Sequence, residues 1–106
     1  MNVRECINKK FYYNPEQFAE ILASNPRLIE YYPEALEINI QNLQKFLKIE
    51  TSTLKDLIFN YPFLLTSNEK YYKETFRYMQ LFLKISHDDF IKISIKFPLI
   101  LRSDVL

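Results

Sequence analysis

Phe59-Asn60-Tyr61-Pro62-Phe63-Leu64-Leu65 returns 36 residues later as Ile95-Lys96-Phe97-Pro98-Leu99-Ile100-Leu101, and a fainter copy lies 36 residues earlier around Pro26, as Pro26-Arg27-Leu28-Ile29. A proline lacks a backbone donor and pushes the residue before it out of helical geometry, so each stretch reads as a helix end, a stop and an apolar turn. Three such stops at one spacing signal a repeat. In a repeat protein each copy buries its apolar face only against its neighbours, so every other residue is read in that light.

Sliding the second copy onto the third aligns Phe46-Leu47-Lys48-Ile49 with the identical Phe82-Leu83-Lys84-Ile85. Gln44 falls on Gln80, Leu65 on Leu101 and Ser67 on Ser103, and Ile40, Leu43, Leu54 and Leu57 meet Phe76, Met79, Phe90 and Ile93. The first copy joins through Ile7, Phe11, Tyr13, Phe18 and Ile21. Within the second copy Leu36, Ile40, Leu43 and Leu47 recur at helical spacing, and Leu54, Leu57, Ile58 and Tyr61 do so on a shorter helix. Asn14-Pro15 puts a capping side chain before a proline at the first helical position, and Ser86 with Asp89 resembles a capping box.

These signals predict helices near 2–12, 15–24, 34–48, 52–60, 69–84 and 87–96, with a single turn after each of Pro26, Pro62 and Pro98. The fold class expected is all-α: one domain over 1–106, an α-solenoid of about three helix–helix–short-turn repeats at roughly 1–33, 34–69 and 70–106.

Composition narrows the function. The chain of 106 residues has 48% hydrophobic and 25% charged residues, as a folded protein does, and no glycine. Phosphate-cradling loops and dinucleotide fingerprints need backbone without a Cβ, so nucleotide chemistry is not expected. Cys6 is alone and reads as a small core residue, and the single His87 has no Cys or His at ligand spacing and reads as solvated; neither a metal nor another cofactor is expected. His87, Asp88 and Asp89 are adjacent at a helix start, where neighbours point apart, so capping accounts for them better than acid–base work. No catalytic residue and no small-molecule substrate are expected. No apolar run approaches the roughly 20 residues that cross a bilayer, so membrane insertion is not expected either. The basic Arg4, Lys9 and Lys10 near the start carry Glu5 among them and no secretory apolar stretch, so this segment reads as structure.

Two helices closed by an aromatic-Pro-apolar turn, as in Tyr61-Pro62-Phe63-Leu64-Leu65 and Phe97-Pro98-Leu99-Ile100-Leu101, resemble the repeat of the mitochondrial transcription termination factor (mTERF) family, over nearly the whole chain. The resemblance implies a left-handed superhelix and a role in mitochondrial or plastid gene expression, binding DNA or RNA or joining organellar ribosomes. It transfers no residue-level site. Two departures stand out. Lysine occupies Lys48 and Lys84, where the family carries glycine in a Leu-Gly-aliphatic corner, and three repeats are fewer than family members stack.

A phosphate-binding surface needs clustered cations, and the formal net charge is only +1. Its distribution is uneven: residues 70–106 carry seven basic against four acidic side chains, residues 34–69 three against five, and residues 1–33 balance. Candidate nucleic-acid contacts are therefore Lys48, Arg77, Lys84, Lys92, Lys96 and Arg102. Lys48 and Lys84 hold equivalent places, yet a lysine ending a helix also opposes the macrodipole without any ligand. Tyr12-Tyr13, Tyr31-Tyr32 and Tyr71-Tyr72 offer either stacking platforms or wedges between helices. The third repeat stops at Ser103-Asp104-Val105-Leu106 with no polar cap, so Phe90, Ile95, Leu99, Leu101, Val105 and Leu106 are expected as exposed apolar surface that docks on protein subunits of a larger assembly. The function expected is a non-catalytic, mitochondrial ribosome-associated subunit contacting rRNA and neighbouring proteins. A structural adaptor without nucleic-acid contact and a DNA-binding terminator are the alternatives.

Overall fold

The computed structural model describes residues 2–102. Six α-helices run through them: α1 (Val3–Lys10), α2 (Pro15–Ser24), α3 (Pro33–Leu47), α4 (Thr51–Asn60), α5 (Glu69–Leu83) and α6 (His87–Lys96). Short 3-10 turns follow α2, α4 and α6 at Pro26–Glu30, Pro62–Thr66 and Pro98–Leu101. No strand occurs among the described residues.

The repeat is visible in the backbone itself. Asn25, Tyr61 and Phe97, the residues before the three prolines, adopt φ/ψ of −139°/73°, −135°/72° and −132°/74°. Each closes its helix by donating its N–H to the residue four back, Ile21, Leu57 or Ile93, at 2.9, 2.9 and 2.7 Å. Each carbonyl then accepts from Leu28, Leu64 or Ile100 to start the turn, at 3.1, 3.0 and 3.2 Å. The proline fits this conformation because its fixed φ and missing donor suit the first position of a new helical turn.

Helix starts follow the same local chemistry. Asn14 and Gln17 form a full capping box, each side chain accepting from the other's backbone N–H at 2.8 and 2.9 Å, with Pro15 at the first helical position. Ser86 Oγ accepts from Asp89 N at 3.1 Å at the head of α6. Only α1 departs noticeably from its expected span: it ends at Lys10, and Phe11 turns extended. That turn lets Phe11 and Tyr13, two residues apart, both enter the core, and Asn8 Oδ1 accepts the N–H of Tyr13 at 3.3 Å.

The chain forms two compact units, Met1–Thr66 and Ser67–Leu106. In the first, α1 packs along α3, and the turn after α4 is held by α2, α3 and the turn after α2. Its core includes Ile7, Ile21, Leu28, Leu36, Leu47, Leu54 and Ile58, all fully buried. Each such side chain contributes about 1.5–3 kcal/mol relative to exposure. Polar ties cross between the two repeats of this unit: Tyr13 donates its hydroxyl to Lys55 O at 2.6 Å, and buried Asn25 donates to Pro62 O and Thr66 Oγ1 at 3.1 and 3.0 Å. Cys6 is buried, as its place on the apolar side of α1 predicts, and its thiol points to Pro33 O at 3.1 Å.

In the second unit, α5, α6 and the turn after α6 pack on one another around Tyr72, Phe90 and Leu101, each at most 2% exposed. This corrects the expectation of Phe90 and Leu101 as exposed apolar surface. Phe90 packs against Phe76 with tilted rings 5.1 Å apart between centroids, and Leu101 holds the position that Leu65 fills in the first unit's core. His87 is half-buried with its ring 4.9 Å from that of Phe76, instead of solvated, because the first turn of α6 lies on α5. Identical sequence does not give identical burial here. Phe46 and Leu47 are 9% and 0% exposed, whereas Phe82 and Leu83 are both 63% exposed.

Candidate nucleic-acid interface

The corners after α3 and α5 place two of the candidate cations. Lys48 and Lys84 each lie one residue beyond the helix, at φ/ψ of 54°/46° and 54°/36°. These are the only non-glycine residues with positive φ among those described. An L-residue there brings Cβ against the following carbonyl, which explains why the resemblance expects glycine at both corners. The Lys48 N–H donates to Gln44 O at 2.9 Å, and Gln44 Nε2 reaches across to Ile49 O at 3.0 Å, so the corner is stitched on both sides. Both lysine side chains are exposed. Their charge lies at the negative end of a helix dipole.

Lys92 and Lys96 are a helical turn apart on α6 and line one open groove with Ile85, Asp89, Ile93 and Phe97. The groove is apolar along its floor and cationic along one edge. Arg77 is exposed on α5, and Arg102 is exposed just after the third turn. Of the six candidate cations, the structure brings Lys92 and Lys96 together on one wall; Lys48 belongs to the first unit and the other five to the second.

Two of the three tyrosine pairs divide, one ring in and one out, while Tyr31 is half-buried beside an exposed Tyr32. Tyr13 and Tyr72 are 1% and 2% exposed, while Tyr12, Tyr32 and Tyr71 face solvent. Burial raises the Tyr13 hydroxyl well above its ordinary range, with Asp56 adding to the effect, and it raises Tyr72 likewise with help from Glu69. Burial also pushes the Cys6 thiol up, with Glu37 next in importance, the opposite of what activates a nucleophile.

Among the docking candidates, Ile95 and Leu99 are exposed, Phe90 and Leu101 are core, and Val105 and Leu106 lie outside the described residues. The sequence reading did not single out Tyr78, Leu81, Phe82 and Phe97, which are 61–69% exposed, as surface. Tyr78 and Phe82 pair their rings at 4.5 Å. The signal was available at the 36-residue offset, where Phe97 corresponds to the polar Asn25 two repeats earlier.

Among the described residues no group of three or more His, Cys, Asp or Glu side chains could hold a metal ion. No helix among them is long and apolar enough to cross a membrane. Compared with known proteins, residues 9–105 match the model of the mTERF family. No curated protein matches the chain.

Proposed function

The chain belongs to the mTERF family, and from that premise we propose that it is a non-catalytic subunit of an organellar gene-expression assembly, a mitochondrial ribosome-associated protein that contacts rRNA. Proteins of this family are in general nucleic-acid-binding helical repeat proteins, typically organellar. The observation that carries the reading to particular residues is the paired Lys92 and Lys96 along one edge of an open groove in the more basic part of the chain. Ammonium groups spaced a helical turn apart suit successive phosphates, and counterion release makes such binding steeply salt-dependent. Arg77, Lys84 and Arg102 extend the same positive character on the second unit, and Lys48 repeats the Lys84 corner on the first.

The test is binding of organellar rRNA across a salt series by the wild-type chain and by a variant with Lys84, Lys92, Lys96 and Arg102 reversed to glutamate. Affinity that falls steeply with salt in the wild type and drops at least tenfold in the folded variant supports the proposal. Unchanged affinity in that variant removes this surface from consideration. A structural adaptor is the second reading, favoured by the net charge of +1 and by the exposed apolar side chains of α5; absence of RNA binding at low salt would select it.

A further inference from the structure

The even charge of residues 1–33 hides a separation that the fold makes. Three of their four carboxylates, Glu16, Glu20 and Glu30, stand on α2 and its turn, whereas Arg4, Lys9 and Lys10 stand on α1. The helix α3 is graded in the same sense: Glu34 and Glu37 come early, Lys45 falls in its last turn, and Lys48 follows at the corner.

α1 and α3 run the same way. The Cys6 thiol meets Pro33 O at the head of α3, and Lys9 and Lys10, a turn later, line a groove of about 280 Å³ with Glu37, Ile40 and Gln41. Glu37, Gln41 and Lys45 are spaced four apart, so they form one row on α3 that passes from acid to base. Lys45 also stands 36 residues after Lys9, at the same place in its repeat. The fold thus gathers Lys9, Lys10, Lys45 and Lys48 at the C-terminal ends of two packed helices, all within Met1–Thr66.

Helix dipoles explain a lysine at each end, but not this set. Lys9, Lys45 and Lys48 are exposed and Lys10 is half-buried, and none of the four has an ion-pair partner among the described residues. Lys48 in addition holds the positive φ that penalises an L-residue, where stability alone would take glycine. A cation kept on a strained corner beside three others marks a place where an anion arrives. Tyr12 supplies the complement. It follows Lys10 by two residues, holds the position that Lys48 fills one repeat later, and is 64% exposed. An exposed ring beside clustered cations is the arrangement that holds unpaired bases.

We infer that the C-terminal ends of α1 and α3 form a seat for single-stranded RNA on the first unit, in which Lys9, Lys10, Lys45 and Lys48 take phosphates and Tyr12 stacks on an unpaired base. The class of ligand rests on the nucleic-acid reading above; the site does not. Glu37 and Glu50 flank the lysines of α3 in sequence and bound the track, so the strand crosses the two helix ends instead of running down the groove.

The test is binding of a labelled oligouridylate and of a duplex RNA by the full chain across a salt series, with circular dichroism verifying that each variant keeps its helices. Replacing the four lysines together by glutamine is expected to lower oligouridylate affinity by about tenfold or more and to flatten the slope of log affinity against log salt by about 2–3, at roughly 0.7 per phosphate lost. Tyr12→Ala is expected to lose about tenfold on the oligouridylate with the slope unchanged, and nothing on the duplex, whose bases are paired. Lys48→Gly relieves the corner, so it should fold at least as stably as wild type and yet bind more weakly. A lysine variant with wild-type affinity and slope overturns the inference, and a loss of affinity in Lys92→Gln with Lys96→Gln would then leave the nucleic-acid reading standing. A wild type that binds neither RNA at low salt overturns both, and equal losses of Tyr12→Ala on the two RNAs overturn the single-stranded assignment.

Discussion

Replacing Lys48 by glycine removes a side chain from a backbone conformation that penalises it. At φ 54° and ψ 46° the Cβ crowds the next carbonyl, a cost of about 1–2 kcal/mol for an L-residue. Glycine escapes that cost but gives the unfolded chain more freedom, which returns about 0.5–1 kcal/mol. The exposed lysine charge at the helix end is lost as well, a small screened contribution. The net expectation is a gain of about 0.5–1 kcal/mol, and with a urea slope of about 1–2 kcal/mol/M the midpoint rises by about 0.3–1 M. Lys84→Gly, at φ 54° and ψ 36°, should act alike on the second unit. Lys48→Asn should gain part of the effect, because asparagine tolerates this region, and Lys48→Val should lose stability. The assay is equilibrium urea unfolding followed by far-UV circular dichroism. A glycine variant with a lowered midpoint, or a valine variant equal to wild type, would show that the corner is not left-handed and refute the reasoning.

Other outcomes follow from single contacts. Asn14→Ala should cost about 1 kcal/mol in thermal unfolding through loss of the capping box with Gln17, while Asn14→Ser should retain most of it. Tyr13→Phe should cost about 1–2 kcal/mol by leaving Lys55 O without the hydroxyl that reaches it. Tyr13 and Tyr72 are both raised above the ordinary tyrosine range of about 10. The native state therefore holds protons that the unfolded state releases, so their contribution is complete below pH about 10 and lost as pH rises beyond it. Urea midpoints measured from pH 8 to 11.5, values chosen to bracket that range, should fall at the alkaline end, less steeply in Tyr13→Phe; a flat profile would contradict the burial of both hydroxyls.

Local rules carried most of the fold because they act on adjacent residues. Asn14 before Pro15 and Ser86 before Asp89 give α2 and α6 the starts observed, and Pro26, Pro62 and Pro98 give all three turns. The period also linked Lys48 to Lys84, although no residue type there announces a positive φ; only the family's glycine did. What the sequence could not show depends on what lies opposite. Phe46-Leu47 and Phe82-Leu83 are the same dipeptide, and α1 packed along α3 makes the difference for the first pair. Phe90 and Leu101 looked like surface when placed near the chain end, yet the packing of α5, α6 and the turn after α6 on one another encloses them. Of the candidate cations, the spacing of Lys92 and Lys96 already implied a shared helical face. Arg77, Lys84 and Arg102 sit on different elements, beyond what spacing can relate.

The amide of Asn25 fixes more than one hydrogen bond. Two greasy helical surfaces tolerate sliding past each other by a turn, since methyl meets methyl either way. Here such a slip would strand a buried amide, at about 1–3 kcal/mol, and pull the Tyr13 hydroxyl off its carbonyl. The two ties thus index the first two repeats to one registration, like the teeth of a ratchet, and truncating Asn25 to alanine would leave the Tyr13 hydroxyl alone to hold it.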